Sequence, residues 1–317
     1  MIYVEMYGRL GNQFFRYAEA RALQEMFYPN EEITISFNQI DSVIDDPSWK
    51  NYLDDFNVKD YNKYEKKGKA IFNESSFQQK IIATRYFLAL RNTGYENLKE
   101  QLLIENKYET ELIKNGIYWF RNGFHKINKS NKKNKFVSGS FEDKRYFDKI
   151  REQLVKELSP KQKPKIENLG LYRVINNTNS VCVSIRRGDF VTDETIKKTH
   201  YVCNEQYFEK AISKIEELIE NPTFIMFSDD IEWVRKNINM KGKTVFYESG
   251  KDPIWEKLRL MYSCKHFILS NSSFSWWAQY LSRNEKKIVV APSRWYNNDF
   301  QSGLLEEKFI KINIEEK

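Results

Sequence analysis

From about residue 180 onward, short apolar runs alternate with longer stretches in which apolar residues recur every three or four positions. Val181–Ile185, Thr223–Phe227, Thr244–Tyr247, His266–Ser270 and Lys287–Val290 have the length and composition of buried strands. Between them, Asn204–Glu220, Asp230–Asn237, Pro253–Cys264 and Phe274–Ser282 read as helices. Strands alternating with helices of this size predict βαβ units around a parallel sheet, an α/β fold. In such sheets, ligands bind beyond the carboxyl ends of the strands.

The chain opens on the same pattern. A strand-like Ile2–Met6 precedes a turn over Gly8–Gln13, then a helical stretch with Phe14, Phe15, Ala18, Ala22 and Met26 on one side. Two glycines let that turn approach either a ligand or another segment closely. The turn lacks the lysine of a phosphate-binding P-loop and the GxGxxG spacing, so by itself it supports packing as well as binding. Residues 40–135 read as mostly helical, around 76–92 and 96–104. A basic run of Lys126, Lys129, Lys132, Lys133 and Lys135 follows. That run is either a solvated loop or a docking site for anionic lipid or a lipid-linked acceptor. A strand over Lys135–Ser138 and an amphipathic helix from Asp143 to about Leu158 come next. Then Ser159–Lys165, polar and holding two prolines, reads as a linker. It divides the chain into domains at 1–165 and 166–317, each about 150 residues and large enough for its own core.

The composition narrows the function. Apolar residues make up 41% and aromatics 15% of the 317 residues, enough to bury and too many for a disordered chain. A net charge of +7 suits an anionic substrate or an anionic membrane surface and does not by itself indicate nucleic acid. Cys182, Cys203 and Cys264 stand apart without a CxxC pair, as buried free thiols do. The histidines His125, His200 and His266 are scattered, which disfavours a metal site. With no signal-peptide pattern and no apolar run near the ~20 residues of a membrane span, a cytoplasmic protein is expected.

Chemistry collects at the strand ends. Val181–Ile185 runs into Arg186-Arg187-Gly188-Asp189. Two guanidiniums at the tip of a buried strand need anionic partners; Asp189 can satisfy one, leaving the other to fork a phosphate. The alternative is a surface Arg–Asp pair that caps the strand. The next strand ends in Ser228-Asp229-Asp230, where Asp230 suits an N-cap and Asp229 is left over. Farther on, Ser270-Asn271-Ser272-Ser273-Phe274 leads into a helix whose hydroxyls and first N–H groups suit a phosphate, or ordinary capping. Behind it, Phe274, Trp276, Trp277 and Tyr280 read as core. The sequence contains no Asp-x-Asp, the carboxylate pair with which many nucleotide-sugar transferases hold a divalent cation on the diphosphate. Cationic side chains and a helix N-terminus would have to neutralise the leaving group instead, so no metal and no cofactor are expected.

These segments resemble a known family. Gly8-Arg9-Leu10-Gly11-Asn12-Gln13-Phe14-Phe15-Arg16-Tyr17 is similar to the GGLGNQMFQYA opening of bacterial α-1,2-fucosyltransferases, glycosyltransferase family 11. Ser184–Asp189 resembles the HxRRxD motif shared by α-1,2-, α-1,6- and protein O-fucosyltransferases. The block from Cys264 to Trp277 and the Val289–Tyr296 block, similar to VxAPxxWF, complete the set in family order. The resemblance implies a GT-B-like fold of two Rossmann-like domains facing a central cleft, with the acceptor side at the N-terminus and GDP-sugar binding in the C-terminal domain. It also implies GDP-L-fucose as co-substrate and transfer with inversion to a sugar hydroxyl. Carried onto this chain, Arg186 contacts the β-phosphate while Arg187 and Asp189 hold the turn in shape; Asp189 and Asp229, at the cleft edge, join the substrate-binding candidates. Ser272, Ser273 and Phe274 contact the diphosphate, and Gly11 and Asn12 meet the donor from the N-terminal side.

Two departures stand out. Ser184 replaces the usual His, and Lys257 stands where the family tends to place an Asp near the guanine, with Glu256 adjacent and Asp252 nearby. Glu256 is the expected substitute, since a carboxylate accepts both N1–H and N2–H₂. Asp193 and Glu194 follow the arginine motif closely and are the candidates for general base, against a purely polar lid over Thr192–Lys198. The expected acceptor is an oligosaccharide or lipid-linked glycan, with peripheral membrane association at the inner face and no nucleic acid among the partners. The competing readings are a fucosyltransferase of α-1,6 or protein O-linkage and a non-catalytic carbohydrate- or nucleic-acid-binding protein. The latter predicts aromatics interleaved with the lysine run, and there are none.

Overall fold

A computed structural model describes residues 1–93 and 97–314. The chain divides into two compact units, Met1–Leu158 and Ser159–Lys317. Each is built around one parallel sheet.

In the first unit, β1 (Ile2–Glu5) lies between β2 (Ile33–Ser36) and β5 (Lys135–Val137). Two-residue strands β3 (Asn62–Lys63) and β4 (Ile117–Tyr118) close the edges, giving the order β3-β2-β1-β5-β4. Helix α1 (Leu10–Phe27) connects β1 to β2. Its apolar face is only part of its burial: Gln13, Glu19, Arg21 and Gln24 are buried as well, so the helix is surrounded by protein. Two single-turn helices, α2 (Asn38–Asp41) and α3 (Ala70–Asn73), precede α4 (Phe77–Arg91) and α5 (Leu98–Lys114). Ser76 and Gln79 form a reciprocal capping box that fixes the start of α4. The expected helix at 96–104 thus runs on to Lys114, and its residue 96 lies outside the described residues. The expected long helix from Asp143 is shorter: two 3₁₀ turns, Lys144–Tyr146 and Asp148–Ile150, lead into α6 (Arg151–Glu157). The Asp143 side chain accepts from Arg145 N, a local turn that competes with continuous helix. Of the lysine run, Lys135 is buried and pairs with Glu31, whereas Lys132 Nζ donates to Gln78 Oε1 at 2.8 Å.

The second unit holds α7 (Leu169–Asn177), β6 (Asn179–Ile185), α8 (Gly188–Thr192), α9 (Glu194–His200), α10 (Glu205–Leu218), β7 (Pro222–Ser228) and α11 (Ile231–Asn237). After these come β8 (Thr244–Tyr247), α12 (Ile254–Ser263), β9 (His266–Ile268), α13 (Ser273–Leu281), β10 (Val289–Pro292) and β11 (Ile310–Ile312). The sheet order is β11-β10-β9-β6-β7-β8, all parallel. Counted within the unit this is 3-2-1-4-5-6 read from β8, the doubly wound order of dinucleotide-binding domains. Val181, Val183 and Ile185 pack in one core cluster with Tyr207, Phe208 and Ile212 of α10. By the two-residue period of a strand, Cys182 and Ser184 face the opposite side, and they too are buried. A strand covered on both faces reads as an uninterrupted apolar run, which is why β6 and β7 are visible in the sequence.

Candidate nucleotide-sugar site at the strand-order reversal

In a doubly wound sheet the chain leaves in opposite directions from the two strands flanking the reversal of strand order, opening a crevice at their carboxyl ends. Here those strands are β6 and β9, paired with Val183 opposite Ile268. Their ends carry Arg186–Asp189 and Ser270–Phe274 respectively. Ser270 N donates to Ser184 O at 3.1 Å, so the pairing continues one step past β9.

Buried hydroxyls join the two ends. Ser184 Oγ lies 2.6 Å from Ser275 Oγ, and Ser275 Oγ lies 3.0 Å from Ser270 Oγ. Ser275 belongs to the first turn of α13, so this chain of three hydroxyls anchors the helix start to both strands. Ser184, standing where the family has a histidine, therefore has a definite structural partner. Ser272 is the N-cap of α13 in extended conformation, and its side chain makes no capping hydrogen bond. The first-turn N–H groups of a helix have no acceptor within the helix, and the dipole concentrates positive potential there.

The arginines divide their partners differently from the expectation. Arg186 meets two carboxylates: NH2 donates to Asp189 Oδ1, and NH1 lies 2.6 Å from Asp229 Oδ2. Arg187 stacks instead on Trp233 of α11, its guanidinium carbon 3.4 Å from the ring centroid, with Asp230 at 3.5 Å. Asp189 thus holds Arg186 rather than Arg187. Asp229, left over in the sequence, is held on both sides, pairing with Arg186 while its Oδ1 accepts from Arg187 N at 2.9 Å. Gly188 has φ +25°, and a Cβ there would stand 2.7 Å from Asp229 Oδ2, so glycine is what lets the two segments meet. A guanidinium carries five donors, and the two contacts to Asp189 and Asp229 leave three for an incoming anion.

Asp230 is the N-cap of α11, accepting from Trp233 N at 3.1 Å, as its position in the sequence implied. Asp193 caps α9: Oδ1 accepts from Thr195 N at 2.8 Å and Ile196 N at 3.1 Å. Glu194 is exposed beside Lys197 at 3.3 Å. The amide of Asn271, at the end of β9, donates to His200 O and Trp295 O, each at 2.8 Å. It ties the end of α9 and the 295–297 loop to the same strand end. His200 packs against Phe190 at a tilt and edge-on against Tyr296 there, and burial lowers its imidazole pKa against the opposing pull of the Ile196 carbonyl and Asp189.

Glu256, the residue expected to meet the guanine, has its carboxylate committed within the second unit. It is fully buried, accepts from Lys165 N at 3.0 Å and Asn168 Nδ2 at 3.1 Å, and pairs with Arg259 at 3.1 Å. Consecutive residues of a helix point about 100° apart, so Glu256 and Lys257 of α12 face different neighbours. Lys257 reaches the end of β7, 2.7 Å from Glu248 and donating to Ser228 O at 2.9 Å. Glu248 is buried, accepts from Ser228 N at 2.9 Å, and burial raises its pKa. That lysine–glutamate pair escaped the sequence reading because it joins a position just after β8 to one on α12, with no shared pattern.

In the first unit, Gly11 and Asn12 occupy the first turn of α1, after Gly8 at φ +77°. A Cβ on Gly8 would lie 2.6 Å from Asn12 Nδ2. Gln13 pins the turn, its Nε2 donating to Gly8 O and Lys50 O and its Oε1 accepting from Tyr52 N. Among the described residues no group of three or more His, Cys, Asp or Glu could hold a metal ion, and no helix is long and apolar enough to cross a membrane.

Two parallel-sheet units, the second doubly wound, define the class of fold: α/β, of the GT-B kind. The chain belongs to glycosyl transferase family 11, whose model matches residues 96–314. It is 28% identical to the alpha-1,2-colitosyltransferase of Escherichia coli, over 98% of this chain and 99% of that one. It is 26% identical to the E. coli O-antigen biosynthesis glycosyltransferase WbnK, over 96% and 98%. Among solved structures, the Bradyrhizobium fucosyltransferase NodZ shares the fold at TM-score 0.51, with 13% identity over 88% of this chain and 90% of that one.

Proposed function

We propose that this glycosyltransferase moves L-fucose from GDP-β-L-fucose to the 2-hydroxyl of a galactose-type residue in a surface-glycan precursor, with inversion and without a metal ion. The observation that carries the reading is the meeting of Arg186 and the α13 start at adjacent strand ends, joined by the Ser184–Ser275–Ser270 hydroxyls. Support for the donor and linkage comes from the sequence blocks, and for the glycan from the O-antigen relative. The second unit binds the nucleotide sugar and the first serves the acceptor.

The mechanism is direct displacement. The acceptor hydroxyl attacks C1 of the sugar as GDP leaves, through an oxocarbenium-like state. Arg186 keeps its carboxylate contacts and directs its remaining N–H groups at the β-phosphate, while Ser272, Ser273 and Phe274 offer the helix start to the same charge. Fixed donors aimed at developing charge contribute about 3–4 kcal/mol each. Asp189 and Asp229 orient the guanidinium. Asp193 takes the proton: its capping contacts use Oδ1 and fix the carboxylate, whereas Glu194 is a long, exposed side chain held only by Lys197.

A second donor is favoured by one specific observation, the colitosyltransferase relative that matches nearly the whole chain. Colitose is fucose without its 3-hydroxyl, so the same phosphate site serves either sugar. Incubation with GDP-fucose or GDP-colitose and a panel of galactosides, followed by anomeric analysis of the product by NMR, tests the reading. The proposal expects an α-linked 2-O-substituted galactoside and free GDP. A 6-linked product, or no GDP release with any acceptor, overturns it.

A further inference from the structure

The solvent face of α4 has a composition that the transferase site does not use. Phe77 is 80% exposed, Leu88 50% and Ile81 44%. At 3.6 residues per turn these three positions fall within about 40° of one another around the helix axis, forming one apolar stripe. Lys80 and Arg91 flank it on one side and Arg85 on the other. The helix contains no Asp or Glu. Its opposite face supplies Ile82, Ala83, Tyr86 and Leu90 to the core, so the stripe is not needed for packing. Soluble proteins leave single apolar residues exposed routinely; three on one stripe, with Thr84 among them and cations of the same helix on both flanks, is a different pattern.

The lysine run adjoins this helix. Lys132 Nζ donates to Gln78 Oε1 at 2.8 Å, which places the segment carrying Lys129 and Lys133 beside the first turn of α4. Positive charge therefore continues from the helix onto the neighbouring loop.

We infer that α4 is a membrane-docking helix that lies in the interface of an anionic phospholipid bilayer. Phe77, Ile81 and Leu88 enter the acyl boundary, and Lys80, Arg91 and the 129–133 segment meet the headgroups. The occupant is a lipid surface because α4 itself carries only cations beside the apolar stripe, and the acid at its Arg85 edge, Glu111 of α5, is paired with that arginine at 3.5 Å; a second copy of this chain would bring the Lys80–Arg91 flank against its like. The inference rests on the proposed function only in that a lipid-carried glycan acceptor gives the enzyme a reason to sit there.

Co-sedimentation with vesicles tests it, using the whole chain and two compositions, phosphatidylcholine alone and phosphatidylcholine with an equal part of phosphatidylglycerol. The inference expects binding to the anionic vesicles that falls by about tenfold or more for the Phe77→Ser/Leu88→Ser variant and for Lys80→Glu/Arg91→Glu. GDP affinity, measured by calorimetry, stays unchanged in both variants and shows that they are folded. Equal binding to both vesicle types, no binding to either, or wild-type binding by the variants overturns it. So does a dimer in solution that Phe77→Ser/Leu88→Ser dissolves. Loss of transfer to soluble galactosides by the wild-type enzyme would instead count against the proposed function, leaving the vesicle result standing.

Discussion

The Arg186 guanidinium sits 2.6 Å from the Asp229 carboxylate, an ion pair between the ends of two neighbouring strands, β6 and β7. Asp229 also accepts from the backbone of Arg187, so one carboxylate fixes both the direction of the guanidinium and the turn that bears it. The pair keeps the cation oriented before any anion arrives, which is the condition under which a donor contributes most to a developing charge. Arg186→Lys keeps the charge and loses the fork. Its kcat is expected to fall by about 10²–10³ with KM for the donor changed far less. Asp229→Asn should fall less, since Asp189 still holds the other nitrogen. Steady-state kinetics on the donor checks both.

The hydroxyl chain makes a separate prediction. Ser275 Oγ is buried between Ser184 Oγ and Ser270 Oγ, so Ser275→Ala leaves two buried hydroxyls short of a partner. A loss of about 1–3 kcal/mol is expected in denaturant unfolding. The variant also loosens the start of α13 and should weaken GDP binding. Ser184→Ala removes one end of the chain and is expected to cost less.

The proton acceptor can be separated from the helix cap. Asparagine caps a helix about as well as aspartate. Asp193→Asn is therefore expected to keep the melting temperature and lose about 10²–10⁴ in kcat, the usual contribution of a general base. Glu194→Gln should stay within about twofold of wild type in the same assay, well below that range. Full activity of Asp193→Asn would make Asp193 a cap only.

Glu19 contributes to the pH dependence of stability, beside the buried carboxylates of Glu5 and Glu248, whose pKa values are also raised by burial. It is fully buried in α1, and neither carboxylate oxygen has a hydrogen-bond partner. Burial raises its pKa well above the ordinary carboxylate range. The folded chain therefore holds a proton that the unfolded chain has already released. Stability from this group is complete below the unfolded carboxylate pKa and is lost as pH rises through the folded value. Glu19→Leu is expected to melt at a higher temperature than wild type at pH 8 and to differ little at pH 4.5. Thermal unfolding at the two pH values checks it; an equal shift at both contradicts it.

With no Asp-x-Asp in the sequence to carry a cation on the diphosphate, activity in excess EDTA is expected to match activity in magnesium within about twofold, since the chain's own donors carry the charge. A strong dependence on added magnesium would place the neutralising charge on a cation instead.

The second half of the chain was legible where burial made it so. β6 and β7 are covered on both faces and read as continuous apolar runs, and Asp230 announces its cap by preceding a helical period. The first half was not: β3 is Asn62–Lys63, two exposed polar residues, and β4 has only Ile117 and Tyr118. Periodicity has nothing to detect in strands of that length. The site shows the same division. The Arg186 turn and the Ser272 helix start could be read because each is local. The role of Asp229 could not, because its partner Arg187 lies 42 positions away. Glu256 and Lys257 are adjacent in sequence, yet the helix turns Glu256 toward Lys165 and Asn168, contacts about 90 positions away that adjacency does not announce.

The central claim is that the β6–β9 reversal holds the nucleotide diphosphate through Arg186. Calorimetric titration of wild type and Arg186→Ala with GDP and with GMP tests it most directly. The account predicts that wild type binds GDP more tightly than GMP and that Arg186→Ala loses that preference, with its GDP dissociation constant raised about tenfold or more, or ~1.4 kcal/mol. Unchanged affinity and preference in a folded Arg186→Ala would contradict it.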